Sequence, residues 1–503
     1  MTSAVAAPLR AQGDGSVRAA AASITADDIA RRVAIIADDS MRGRATPSPE
    51  LDKVATYIAG EFRRSGLKPL GDGGGFVQRY DIEQVRLDTA RSGVVVSNGP
   101  TWRVGREAAV PFSRFLEGTG SGPAVLLSGS GDPATLAGRR LRGAVVLAVV
   151  PVTPNGGMTG WGSVLVTALA RSGAAAVVAV APVSDSVWAS YRAVLNRTTL
   201  RPGWERPAGT PLVVVRDPTI TPLLALHGVV LADARREAAL KATDLPNLRL
   251  TVTVSQTASS RSTGPNVVGV LEGSDPVLRG EYLVYSAHMD HVGVASGGSC
   301  RAQGADSICN GADDDASGTI AVVEAAEAFA ALRPAPKRSL IFLTVSGEER
   351  GLWGSEYFAM KPPVSIGQVV ANLNVDMVGR NWRDTIVAIG KEHSDLGTTL
   401  ARVNAAHPEL GMTAIDDIWP EERFYFRSDH YNFARKGVPV LFFFNGVHAD
   451  YHRPTDHPDK IDAEKESRIV KLLFFLGLDL ANAAERPKWN PESYRQIVEQ
   501  ARQ

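Results

Sequence analysis

The chain has 503 residues, with 54 Lys+Arg against 54 Asp+Glu and so no formal net charge, 44% apolar residues and two cysteines. That length and apolar content can bury more than one core, so two domains are expected, and disordered, collagenous and disulfide-scaffold classes are excluded. No block of Lys or Arg supplies the phosphate attraction that a nucleic-acid binder needs, and no run of about 18 apolar residues offers a membrane-spanning helix.

Residues 1–25, Ser/Gly/Ala-rich as far as Ala22, read as a flexible segment with neither a basic n-region nor a long apolar h-region. Their composition is that left after signal-peptide cleavage. The expectation is therefore a secreted or periplasmic protein whose signal peptide is absent from this sequence. Apolar residues at Ile29, Val33 and Ile36, and again at Val54, Tyr57, Ile58 and Phe62, predict two helices, the second stopping at Gly66. Met41–Pro47 between them has turn chemistry, and Phe76–Tyr80 reads as a strand.

Over 93–259 the texture changes to short apolar strands divided by Gly and Pro: Ala124–Leu127, Ala144–Val150, Ala174–Val180 and Pro211–Val215. A helix is expected over Ser163–Arg171 and another ordered segment near Thr219–Leu226. This stretch reads as a separate inserted domain, poor in His, Asp and Glu clusters and so structural or substrate-guiding.

Beyond Pro265 strand and helix alternate. Tyr282–Ser286, Leu340–Val345, Val369–Val375 and Val438–Phe444 are apolar runs of strand length, while Gly318–Leu332 and Ala463–Asn482 have helical period. Strands apolar on both faces imply an α/β fold, a mixed and largely parallel sheet flanked by helices. The catalytic candidate is thus discontinuous, 26–92 with 260–485, and 486–503 reads as a C-terminal tail.

In such sheets sites form beyond the carboxyl ends of the strands. Those ends run into His288-Met-Asp290, Glu348-Glu349, Asp376 and a loop with His448, Asp450 and His452, while Asp313-Asp314-Asp315 opens a helix. So many carboxylates at one rim repel one another unless a cation neutralises them. Nitrogen and oxygen donors without thiolate fit zinc or a similar first-row metal, and the carboxylate excess fits two ions sharing one carboxylate. In His288-x-Asp290 one side chain is expected to bind metal and the other to orient it; of Glu348 and Glu349, one to ligate and the other to take a proton from water. Cys300 and Cys309, close together in a Gly/Ser-rich loop, suit a local disulfide, with two free thiols as the alternative.

Six segments, Ser286-Ala-His-Met-Asp290, Asn310-Gly-Ala-Asp-Asp-Asp-Ala-Ser-Gly318, Ser346-Gly-Glu-Glu-Arg-Gly-Leu-Trp-Gly-Ser355, Asn374-Val-Asp-Met-Val-Gly379, Ser428-Asp-His430 and Asp450-Tyr-His452, resemble the co-catalytic di-zinc peptidases of the bacterial leucyl aminopeptidase type, related to glutamate carboxypeptidases and transferrin receptors. The stretch 93–259 resembles the protease-associated domain that many relatives carry inserted. The resemblance implies two zinc ions, Asp313 bridging them, His288 and Asp376 completing one position, and Glu349 and His452 the other. It further implies Glu348 as general base, Asp290 as the carboxylate behind His288, Tyr425 as a donor to the tetrahedral intermediate and a cis peptide at Asp313–Asp314. The implied activity is release of N-terminal residues from peptides through a water bridging the two ions, by a monomer or small homo-oligomer. Carboxypeptidase or dipeptidase action, glutaminyl-cyclase-like acyl transfer and a receptor-like binding protein are the alternatives. His291, His430, His448 and His457 are read as exposed or hydrogen-bonded rather than ligating, Asp315 and Asp429 as orienting or capping groups, and Glu356 as solvated.

Overall fold

The computed structural model describes residues 9–110, 117–129, 141–149, 169, 172–195, 197–204, 209–295 and 299–500. The chain divides into two compact units, Met1–Tyr80 with Thr263–Gln503, and Asp81–Ser262. The second unit extends past the expected 93–259 on both sides, and the strand Val77–Leu87 runs on past the strand expected at Phe76–Tyr80.

In the first unit the strand order is Thr413–Ile415, Thr385–Ile389, Val440–Phe443, Val369–Val375, Tyr282–His288, Ser339–Val345 and then Val267–Leu271 of the long strand Gln256–Leu271. Tyr282–His288 lies parallel to both of its neighbours, and Val369–Val375 parallel to Val440–Phe443. The antiparallel pairings fall at Val267–Leu271 with Leu340–Thr344, and at Ala388–Ile389 with Phe442–Phe443. The fold is thus mixed α/β with a largely parallel centre. The chain leaves Tyr282–His288, forms Ser339–Val345 on one side and then Val369–Val375 on the other, so the strand order reverses at His288. A crevice opens at such a reversal.

The strands read as continuous apolar runs because both faces are covered. One face packs the helix Gly318–Ala331 and the helix Ala463–Asn482 through Tyr285, Phe329, Phe342 and Phe474, with Phe329 and Phe474 rings 4.7 Å apart. Each such side chain contributes about 1.5–3 kcal/mol on full burial. The other face carries Val284, Ile341, Leu343, Phe358, Phe433 and Phe442. The helix Ala463–Asn482 starts where Asp462 accepts from Lys465 N at 3.1 Å, and the helix Pro49–Arg64 where Ser48 accepts from Leu51 N at 3.1 Å with proline in its first turn.

Two terminal expectations are corrected. Leu9–Ala22 is a helix, not a flexible segment: its alanine run has the highest helix propensity, and Ala20 and Ala21 join the core. Residues 486–500 are not a loose tail either, since Ile497 and Val498 are buried against the sheet.

The unit Asp81–Ser262 has its own sheet, ordered Thr101–Arg103, Gly93–Val96, Lys241–Val254, Gly118–Ser128, Val145–Val149, Ala176–Ala181, Leu212–Arg216 and Ala108–Ala109. The four strands expected there are present, and the segment near Thr219 is the helix Asp217–Leu226. The helix expected over Ser163–Arg171 lies outside the described residues apart from Leu169. Cys300 and Cys309 form a disulfide.

Candidate metal centre

Five loops at the strand ends converge. His288 closes its strand, Glu348 and Glu349 follow Ser339–Val345 in a short turn, and Asp376 follows Val369–Val375. His452 sits in the loop after Val440–Phe443 with left-handed backbone, φ 57°. Asp314 lies in the irregular turn Ala312–Ser317 that opens the buried helix.

These side chains form two groups whose donor atoms lie close enough to hold an ion each: His288, Asp314 and Asp376 in one, and His291, Asp314, Glu349 and His452 in the other. His288 Nε2 is 3.4 Å from Asp314 Oδ1 and 3.6 Å from Asp376 Oδ1. His452 Nε2 is 3.2 Å from both Asp314 Oδ2 and Glu349 Oε2. Asp314 thus offers one oxygen to each group.

The shared carboxylate is therefore Asp314, one residue beyond the expected Asp313, and the cis peptide is Asp314–Asp315 rather than Asp313–Asp314. Asp313 is turned to another task. Its Oδ1 accepts from Gly379 N at 2.7 Å and Ser317 Oγ at 3.1 Å, and Oδ2 lies 3.2 Å from His448 Nε2. Three successive aspartates have no spacing that separates them in sequence; the backbone decides. Asp456, which the sequence reading missed, accepts from Asp313 N at 3.0 Å and Asp314 N at 3.2 Å, holding the turn from beneath. Asp315 accepts from His288 N, Gly318 N and Met377 N, at 3.1, 2.9 and 3.1 Å, and so ties three of the converging segments together. Gly318 is required there, since a Cβ would stand 2.3 Å from Asp315 Oδ1 and from Val375 O.

His288 Nδ1 lies 3.1 Å from the Asp290 carbonyl oxygen and 3.7 Å from the Asp290 carboxylate Oδ1. The same carboxylate accepts from Thr46 Oγ1 at 2.8 Å and from Glu348 N at 3.3 Å, so it also fixes the turn that carries the two glutamates. Asp376 accepts from Ser428 Oγ at 3.0 Å, which in turn accepts from Asn374 Nδ2 at 3.2 Å. His288 and Asp376 thus each have a neighbour that sets their orientation.

Tyr425 lies apart from the two donor groups. Its ring packs edge-on against His393 and His430, whose Nε2–H donates to the Tyr425 carbonyl at 2.8 Å, and it does not line the cleft. The cleft is lined by His288, Asp314, Glu348 and Asp376 together with Tyr451, whose ring stacks on His452 with centroids 3.9 Å apart. Burial and the nearby Asp314 and Glu349 raise the Tyr451 pKa, so its phenol stays protonated. The rest of the wall is Met377, Phe424, Phe442, Phe444 and Val447, with Arg427 and Ser428 as its further polar members. Of the other candidates, Asp450 pairs with Arg380 and Lys460, His457 with Asp306, and Glu356 with Arg435.

The electrostatics are those of a cation site. Burial and Asp314 press the Glu349 carboxyl up, but His291 and His452 outweigh them and hold it at about 2; burial opposes a charge on His452, yet Asp314 and Glu349 raise it to about 10. Glu348 belongs to neither group, and burial raises its pKa. Among the described residues Asp314 Oδ2, Glu349 Oε1, His452 Nε2 and both ring nitrogens of His291 are buried without a hydrogen-bond partner. Orphaned donor atoms of hard and borderline type, converging around one shared carboxylate, fit a pair of first-row divalent cations.

Arg44, read in sequence only as part of a turn, underpins the site. Fully buried, it donates from Nε to Met289 O at 2.8 Å, from Nη2 to Gly311 O at 2.6 Å and Asp314 O at 3.2 Å, and from Nη1 to Asn310 O. Arg44→Leu orphans four carbonyls and removes the cation facing Asp290, Asp314 and Asp315. A loss of about 3–5 kcal/mol is expected, read as a lower urea midpoint for the unit that carries the site; an unchanged midpoint would mean that the carbonyls find other donors.

Residues 266–476 match the model of Peptidase family M28. A protein of Pyrenophora tritici-repentis named "Probable zinc metalloprotease" is 33% identical over 162 residues, 26% of this chain and 33% of that protein. "Leupeptin-inactivating enzyme 1" of Streptomyces exfoliatus is 30% identical over 211 residues, 42% of each. The chain thus spans a third to two-fifths of the length of these curated relatives. Among solved structures, an aminopeptidase from Aneurinibacillus sp. strain AM-1 aligns over 93% of this chain and 96% of its own, at 19% identity and a TM-score of 0.48.

Proposed function

We propose that this chain, which carries a Peptidase family M28 unit over residues 266–476, is a metal-dependent exopeptidase that releases N-terminal residues from peptides. The observation that carries this reading is the pair of donor groups sharing Asp314 at the strand-order reversal, with Glu348 beside both and in neither. His288 and Asp376 would hold one cation, Glu349 and His452 the other, and Asp314 both. When bound, such ions supply positive charge that polarises the scissile carbonyl and makes water a nucleophile near neutral pH.

Glu348 accepts the proton of the attacking water and passes it to the leaving amine. The turn anchored by Asp290 keeps its carboxylate at the cleft. The Tyr451 hydroxyl donates to the oxyanion that forms at the carbonyl carbon, the role expected of Tyr425. The cleft presents the carboxylates of Asp314, Glu348 and Asp376, oxygen acceptors that suit a free α-amine. Arg427 is the basic residue on its lining, and it is paired with Glu422 at 3.1 Å and lies over the Phe424 ring, which supports amino-end over carboxyl-end recognition. The wall of Met377, Phe424, Phe442, Phe444 and Val447 favours aliphatic and aromatic first residues over charged ones, as burial of their apolar surface requires. Free-amine peptides beginning with Leu or Phe are expected to shorten fastest, and a chelator is expected to abolish the reaction. Equal rates on Asp- and Leu-initiated peptides would contradict the pocket reading.

Two further parts of the reading are proposals of the same kind. The disulfide Cys300–Cys309 supports a secreted or periplasmic location, since such bonds persist in oxidising compartments. No helix among the described residues is long and apolar enough to cross a membrane. The unit Asp81–Ser262 holds neither metal-ligand group, which supports a protease-associated, substrate-guiding role rather than a chemical one.

A further inference from the structure

The expected ligand set gives each ion two residues besides the shared aspartate. The second group contains one more. His291 is fully buried, and its Nδ1 lies 2.9 Å from Glu349 Oε1 and 3.6 Å from Asp314 Oδ2, while its ring meets that of His452 edge-on at 5.5 Å. Among the described residues neither of its ring nitrogens has a hydrogen-bond partner. Its Nδ1 faces only the Glu349 and Asp314 carboxylates of the second group, and its Nε2 has no partner among the described residues, so the imidazole is completed within that group and not by the surrounding protein.

The ring is also held on purpose. His291 N donates to Arg44 O at 3.3 Å, anchoring its backbone to the turn that Arg44 organises. Gly311, at φ 60°, leaves room for the imidazole: a Cβ there would stand 2.5 Å from the ring's Cγ. Zinc bound tetrahedrally at about 2.0–2.2 Å from each donor sets those donors about 3.3–3.6 Å apart. His291 Nδ1 and His452 Nε2 lie 3.6 and 3.2 Å from the same Asp314 oxygen, Oδ2, and one donor atom each from His291, Asp314, Glu349 and His452 lies within 4.8 Å of all the others, close enough to be drawn onto one ion.

We propose that His291 is a protein ligand of the second metal position, which thereby has four protein donors, His291, Asp314, Glu349 and His452, against three, His288, Asp314 and Asp376, at the first. Four protein donors close a tetrahedral shell, and three leave a coordination place open for water or substrate. The two positions are therefore unequal. The second retains its ion and organises Asp314, and the first is the exchangeable position that faces the substrate.

This inference rests on the two-metal reading. If that reading fails, the unaltered protein binds no pair of ions; if only this inference fails, it binds two ions with His291 outside the coordination shell. X-ray absorption at the zinc edge on the zinc-loaded full chain separates these outcomes without any substitution. Three imidazoles over two zinc ions, 1.5 per ion on average, are expected, and 1.0 per ion overturns the proposal. Competition with a chromophoric chelator then tests the inequality. The unaltered protein is expected to surrender one zinc readily and the other at least about 10-fold less readily, since even a group that only orients a ligand is worth about 10–100-fold in metal affinity. His291→Asn keeps a donor beside Glu349 but is a poor zinc ligand, and it is expected to bring the second zinc close to the first in affinity. His291→Asp, which supplies a ligand oxygen, is expected to restore part of the difference. A His291→Asn protein that keeps both zinc ions as tightly as the original would reduce His291 to a packing residue and overturn the proposal.

Discussion

Glu348→Gln is expected to lower kcat by about 10²–10⁴-fold while metal content and KM stay near those of the unaltered protein. Glutamine has the same shape but cannot take a proton, and the substitution leaves both donor groups intact because Glu348 belongs to neither. Its backbone remains tied to Asp290 Oδ1 at 3.3 Å, so the turn that also carries Glu349 has no reason to move. A loss of metal with the loss of rate would show that Glu348 supports the ions rather than the proton. Near-normal turnover would mean that another group, Tyr451 or a solvent path, handles the proton.

The second large effect is at Asp314. Each of its oxygens faces a different group, at 3.4 Å from His288 Nε2 and 3.2 Å from His452 Nε2, so Asp314→Ala strips a donor from both positions at once. Dialysed protein is expected to lose both ions and all activity. Asp313→Asn is the contrasting variant. Its side chain still reaches the Gly379 and Ser317 contacts from the same place, and a cost of only about 10–100-fold in metal affinity or rate is expected for a group that acts through the turn. Metal analysis of the two variants side by side checks the assignment. Loss of both ions in Asp313→Asn, with retention in Asp314→Ala, would return the shared role to Asp313.

Most of the sheet was legible because its strands are apolar on both faces, and the helix Ala463–Asn482 matches its apolar period end to end. The site was legible to the extent that its residues follow directly on those strands: His288, Glu348, Glu349 and Asp376 each sit within a few positions of a strand end. What could not be read depends on backbone conformation or on distant contacts. Asp313 and Asp314 differ only in how the turn Ala312–Ser317 is held, and the residue that holds it, Asp456, is 142 positions from Asp314. Tyr425 and Tyr451 are both aromatic phenols near a histidine; only the packing of Tyr425 on His393 separates them. Arg44 reaches carbonyls 245 to 270 residues away, a role that no local pattern encodes. His291 had a local signal, standing three residues after His288, but a lone buried histidine is more often a core residue, as His430 proves to be beneath Phe442.

The central claim, metal-dependent cleavage from the amino end, is tested most directly by a mass-spectrometric time course. Zinc-loaded full-length protein is incubated with a mixture of peptides that have free, N-acetylated or C-amidated ends, with and without chelator. Stepwise shortening of every peptide with a free N-terminus, including the C-amidated ones, no change in the acetylated ones and arrest by chelator are predicted. Loss of residues from free C-termini, or shortening that persists after the metal is removed, would contradict it.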